Sequence, residues 1–171
     1  SWNGPTPLGA PYGYASGGSV PSPSPPQGTS SERIDFSNDN SSPLVKGHLT
    51  RTSYGVRGAN NREYAYLGGG NPGSGSTIID RMDYSNDSVV TVEKGNLTAS
   101  RSQHGATGTL SYGYFAGGWG PGANEKSSVD RVDYSNDTAT AAPKGPLNRG
   151  RARFGTIGNQ SYGYFAGGEW S

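Results

Sequence analysis

The sequence predicts an all-β protein built from repeated four-stranded units, and three recurring motifs predict it. The first ends in glycines: YGYASGG from Tyr12, YAYLGGG from Tyr64, and YGYFAGG from Tyr112 and again from Tyr162, at spacings of 52, 48 and 50 residues. The second runs in step with it: ERIDFSND from Glu32, DRMDYSND from Asp80 and DRVDYSND from Asp130. The third follows: LTRTSYGVRG from Leu49, LTASRSQHG from Leu97 and LNRGRARFG from Leu147. A period near 50 with several short strands per unit is the mark of a blade-type repeat, most simply a β-propeller or part of one. The units fall at about 12–63, 64–111 and 112–161, and a fourth starts at 162–171.

The third unit shows why each element forms. In SYGYFAGG, Tyr112 and Tyr114 take one face while Gly113 and Phe115 take the other. Aromatics at period two suit a strand packed between sheets. Gly117-Gly118 ends it, because glycine supports the positive φ of a sharp exit. A turn-rich loop (WGPGANEKSS) leads to VDRVDYSND, a second strand with Val132 and Tyr134 on one side and Arg131 and Asp133 on the other. Ser135-Asn136-Asp137 is turn chemistry, since short polar side chains cap nearby backbone. TATAAP (residues 138–143) reads as a weak outer strand stopped by Pro143, which suits an edge. Residues 144–153 cross to the next unit, and ARFGTIG (residues 152–158) opens it. No stretch carries helical periodicity. In the first unit a proline-rich loop, 19–31, replaces the short loop and reads as extended and exposed.

Composition bounds the function. Glycine is 29 and proline 12 of 171 residues, and only 30% are hydrophobic, so disorder is a competing reading. The glycines recur at fixed places in the period, which turns require and disorder does not. With 14 basic and 13 acidic side chains there is no basic stripe for nucleic acid. Cysteine is absent, which removes disulfides and cysteine-based metal or nucleophile sites. No apolar run approaches the length of a membrane-spanning helix. The chain opens at Ser1 with no secretory leader pattern and ends at GGEWS, so both ends read as cut.

The motif order resembles the kelch repeat. Gly117-Gly118, with Gly69-Gly70 and Gly167-Gly168, looks like the kelch diglycine. Residues 129–134 look like its third-strand motif, and Arg151 with Phe154-Gly155 like its crossover arginine and following strand. Residues 138–142 stand where the kelch tryptophan usually falls. YGYFAGG followed by DRVDYSNDTATA is similar in particular to kelch-like repeats in virion structural and tail proteins of tailed phages that infect marine cyanobacteria. That resemblance implies a structural or host-recognising part of an extracellular virus particle, with other copies of itself, other virion proteins or a host-surface glycan as partners. A secreted or cell-surface location is the alternative.

The recurring charged pairs are Arg33 with Asp35, Arg81 with Asp83, and Arg131 with Asp133. The favoured reading ties each unit to the next, because packing residues share a repeat's symmetry and catalytic residues usually break it. A channel that binds a cation is the alternative. D-x-S-N-D superficially matches the start of a calcium loop but lacks its glycine and closing glutamate, so a plain turn is favoured. Asn40, Asn86, Asn96, Asn136 and Asn159 each lie in N-x-S/T, read as turn residues rather than glycan acceptors. His104 stands where Tyr54 and Phe154 stand, in an aromatic packing slot. No catalytic triad, metalloprotease or phosphate-loop signature occurs, and no cofactor or metal is expected. Trp119, Trp170 and Trp2 are the binding candidates; the first two follow a diglycine and so sit at one rim, where an aromatic can stack on a sugar or anchor a protein.

A non-enzymatic tail fibre or appendage that presents loops to a host surface is therefore expected. A purely structural, self-assembling fibre or decoration subunit is the alternative, and the propeller domain of a secreted carbohydrate-active enzyme is the third. An open stack of three and a half units leaves bare end sheets. Either the array continues in a longer chain or several copies cover one another.

Overall fold

A computed structural model describes residues 12–18, 28–71 and 75–170. Trp2 and most of the proline-rich loop lie outside the described residues. The protein is all-β. Its strands are β1 (Tyr12–Ser16), β2 (Ser31–Asp35), β3 (Leu44–Val45), β4 (Tyr54–Asn60), β5 (Tyr64–Asn71), β6 (Ser76–Asp83) and β7 (Val92–Arg101). There follow β8 (Gly105–Gly108), β9 (Tyr112–Ala116), β10 (Val129–Asp133), β11 (Ala142–Lys144), β12 (Gly155–Gly158) and β13 (Gly163–Ala166). Among the described residues there is no α-helix.

The strands form antiparallel sheets in sequence order: β1-β2-β3, then β4-β5-β6-β7, then β8-β9-β10-β11, then the pair β12-β13. Each complete sheet is thus one repeat, shifted so that the third motif supplies its opening strand. The opening strands lie side by side, β4 against β8 and β8 against β12. Gln103 N donates to the Gly55 carbonyl, and Arg153 N to the Gln103 carbonyl, both at 2.9 Å. The three linked residues share a left-handed backbone, with φ of 68° at Gly55, 51° at Gln103 and 54° at Arg153.

The core lies between sheets, as the period-two aromatics require. Leu49, Val56, Ala65, Leu67 and Met82, with Tyr14 and Tyr84, fill the space between the first and second sheets. Tyr66, Ile79, Leu97, Phe115 and Val132, with Tyr64 and Tyr134, fill the space between the second and third. Tyr66 and Phe115 are completely buried. Burying a side chain of that size is worth about 1.5–3 kcal/mol.

Two details differ from expectation. The outer strand of the third sheet is Ala142–Lys144, which shares only Ala142 and Pro143 with the expected TATAAP and runs through Pro143 rather than stopping there, because Arg131 pairs with Ala142 and Val129 with Lys144. In the opening strands, Arg57 pairs with Gly68, Gly105 with Ala116 and Gly155 with Ala166. That register makes His104 equivalent to Val56 and Phe154. Tyr54 falls two residues earlier, at the position of Ser102 and Ala152, whose pairing with Trp119 and Glu169 matches the Tyr54–Asn71 pair.

Candidate functional site

The recurring polar residues converge where one sheet meets the next. Asp87, the last residue of the second Ser-Asn-Asp turn, is buried against the first sheet. It accepts from the Tyr14 hydroxyl at 2.8 Å and from Arg33 at 2.9 Å, and pairs with Lys46 at 3.2 Å. Asp137 repeats the arrangement one sheet on, with Tyr66 at 3.1 Å, Arg81 at 2.8 Å and Lys94 at 3.2 Å. Stacked rings flank each carboxylate: Tyr14 on Tyr84 at 5.3 Å and Tyr66 on Tyr134 at 4.4 Å between centroids. Behind them Gly47 N donates to the Asp87 carbonyl at 2.7 Å, and Gly95 N to the Asp137 carbonyl at 2.8 Å. A side chain on Gly47 or Gly95 would run into the Val89 or Ala139 carbonyl, so close backbone approach requires glycine there.

The electrostatics follow from this packing. Burial alone would raise the Asp87 carboxyl, but hydrogen bonds from Tyr14 and Lys46 and the positive charges of Arg33 and Lys46 outweigh it and hold it below its ordinary value. Burial, reinforced by the facing carboxylates, pushes the Tyr14 and Tyr66 phenols well above theirs. These tyrosines are donors in structural joints, held neutral.

The charged pairs read from the sequence divide between two tasks. Arg33 and Arg81 tie sheet to sheet, yet they do so through Asp87 and Asp137 rather than through Asp35 and Asp83. Asp35, Asp83 and Asp133 instead accept from the side chain and backbone N of Ser37, Ser85 and Ser135, at 2.6–2.9 Å. Those bonds lower their carboxyls and start a one-turn 3-10 helix in the second and third units. The capping acid therefore precedes the Ser-Asn-Asp triplet, a consequence of the local Asx geometry. Arg33, Arg81 and Arg131 also lie over the rings of Tyr12, Tyr64 and Tyr112, at 4.1, 4.3 and 4.1 Å.

A second set of residues braces the diglycines. Arg101, wholly buried, donates to the Gly117 and Ser128 carbonyls at 3.0 Å and pairs with Asp130 at 3.1 Å, while Thr98 adds its N and hydroxyl to the same carboxylate. Arg51 does likewise with Gly69, Ile78 and Asp80, and Arg151 with Gly167. Gly69-Gly70, Gly117-Gly118 and Gly167-Gly168 all have φ between 64° and 92°. Asp87 and Asp137 were read from sequence only as turn residues, and Asp80, Asp130 and the Lys-Gly pairs were given no role. The signal was there: Lys-Gly recurs at 46, 94 and 144, in phase with the other motifs.

The rim tryptophans differ from each other. Trp119 is half-buried, exchanges two 2.9 Å backbone hydrogen bonds with Ser102, and is covered by Arg153 at 4.2 Å. Trp170 is 53% exposed and borders a shallow depression of about 370 Å³ with Glu125, Asn148, Arg149 and Gly150; Arg149 lies 5.3 Å from its ring. His104 is wholly buried, both ring nitrogens lack a hydrogen-bond partner, and burial with the nearby charges of Arg101 and Arg57 drives its pKa well below the ordinary value. Among the described residues no three His, Cys, Asp or Glu side chains form a metal-binding group.

No protein-family profile and no curated protein matches the chain. The fold is similar to a solved structure described as the structure of YjhT, with a TM-score of 0.71 and 14% identity. The match covers 84% of this chain and 46% of that one, so this chain spans about half of the neighbour's length. At that identity the likeness is one of fold alone.

Proposed function

We propose that the chain is a non-enzymatic, kelch-like β-propeller array of a virion appendage, presenting rim loops to a host surface. The observation that carries this reading is the division of labour between the two ends of the sheets. At the Ser-Asn-Asp end, Asp87 and Asp137 are enclosed by donors from the neighbouring sheet, which suits structural work. At the diglycine end, Trp170 stands exposed beside Glu125, Asn148 and Arg149. An exposed indole face with neighbouring polar groups suits a sugar ring, which offers an apolar face and hydroxyls at its edge. The side-by-side opening strands, the recurring diglycines and the fold likeness support the propeller arrangement.

A glycan array probed with the purified protein tests the recognition half. Specific signals that fall at least tenfold for Trp170→Ala, with Trp119→Phe unchanged, are expected. An array blank for the parent chain, or signals indifferent to Trp170, would exclude it. The second reading, a purely structural assembling subunit, is favoured by Trp119, whose ring Arg153 already covers. Under it, acrylamide quenching of Trp170 would disappear in the assembled particle.

A further inference from the structure

We propose that His104 is an acid-operated latch on the rim: a proton on its buried imidazole frees the turn that carries Trp119 while the sheets stay folded. The latch does not depend on the rim's binding a glycan. It lies between the second and third sheets, both of which have all four strands.

The slot for the imidazole is built from backbone. His104 is wholly buried between two diglycine exits, one from each sheet. A Cβ on Gly69 would lie 2.7 Å from His104 Cε1, and a Cβ on Gly118 would lie 2.6 Å from His104 Cβ. The Phe115 ring closes another side, with 5.8 Å between ring centroids. Neither imidazole nitrogen has a hydrogen-bond partner. The equivalent positions hold Val56 and Phe154, so a titratable group at 104 breaks the symmetry of the repeat. Residues that only pack share that symmetry.

The charges around the slot oppose a proton. β4 presents Arg57 and β7 presents Arg101, and both guanidiniums disfavour an imidazolium. β5 contributes Gly69 and β9 contributes Phe115, neither of which titrates. Asp130 on β10 is already bound by Arg101 and by the N and hydroxyl of Thr98. Desolvation and like charge act in the same direction, so the slot keeps a neutral ring and expels a charged one.

The side nearest Trp119 is the one that yields. Ser102, two residues before His104, holds Trp119 through a pair of 2.9 Å backbone hydrogen bonds, an isolated bridge rather than a ladder. Gln103, between them, has φ of 51°, where a residue other than glycine is strained. Moving the ring toward solvent would relieve that strain and pull on the bridge. At the Ser-Asn-Asp end of the same two sheets, the joint of Asp137 with Tyr66, Arg81 and Lys94 contains no histidine and stays tied. Once out of the slot, His104 takes the ordinary pKa of about 6.5, so from pH 7.5 to pH 5 the open form gains about thirtyfold over the closed one.

Amide hydrogen exchange reads this opening residue by residue. After correction for the intrinsic pH dependence of exchange, protection of Ser102 N and Trp119 N should fall about thirtyfold between pH 7.5 and pH 5. Gly95 N, which donates to the Asp137 carbonyl, should keep its protection over the same range. In His104→Phe, which copies Phe154, all three should be insensitive to pH. Constant protection at Trp119, or an equal fall in His104→Phe, would overturn the proposal. A fall at Gly95 in step with Trp119 would also overturn it, because the whole array would then be opening. Should His104→Phe fail to fold, the ring resonances of His104 in the parent chain decide. They should report a proton only as Trp119 loses protection; a His104 protonated near pH 6.5 with the bridge intact would refute the latch.

Discussion

His104 shows how a single residue can make the array sensitive to pH. Its imidazole is completely buried, both nitrogens lack partners, and its pKa lies well below the ordinary 6.5. The unfolded chain therefore binds a proton near pH 6.5 that the folded chain refuses. Stability from this site is fully present above pH 6.5 and falls as pH drops below it, at up to about 1.4 kcal/mol per pH unit until the folded pKa is reached. His104→Phe, which copies the equivalent Phe154, should remove that decline between pH 6.5 and 5 in urea titrations; an unchanged slope would count against it. The aromatic role of position 104 was legible in the sequence, because aromatic residues recur near it. Its register was not: Tyr54 pairs with Asn71 as Ser102 pairs with Trp119, and only the sheet pairing shows that Val56 is the true equivalent.

At the scale of the element, the diglycine exits and their arginines act as one unit. Gly117 has φ of 64°, and a Cβ there would lie 2.7 Å from the Arg151 carbonyl oxygen and 2.9 Å from the Phe154 ring. Gly117→Ala should cost at least about 2 kcal/mol from backbone strain and the clash together, read as a lower denaturation midpoint with an unchanged slope. Arg101 and Asp130 are both fully buried and hydrogen-bonded to each other. Asp130→Ala would strand the guanidinium and should cost about 3–5 kcal/mol by the same measurement. The glycines and the crossover arginine were visible in the sequence, because the residues they serve recur with them. Asp130 was harder to see, because Glu32 stands at its position in the first unit, so it looks like one more variable surface acid.

Across the whole molecule, the period of about 50 residues was readable because glycine, tyrosine and the Asp-Arg strands recur in phase. The joints were read only in part. Arg81 was expected to act between units, but its true partner, Asp137, lies 56 residues away in sequence. A contact that distant depends on sheets facing each other, which no local pattern encodes. The account rests on these joints being what stacks sheet on sheet. A double-mutant cycle on Arg81→Ala and Asp137→Ala, read by urea unfolding, tests it most directly. Each substitution should destabilise the chain, and the pair together should fall short of the sum by about 1–3 kcal/mol, the coupling of residues in direct contact. Strict additivity within about 0.3 kcal/mol would mean that Arg81 and Asp137 do not act as a joint, and would contradict the account.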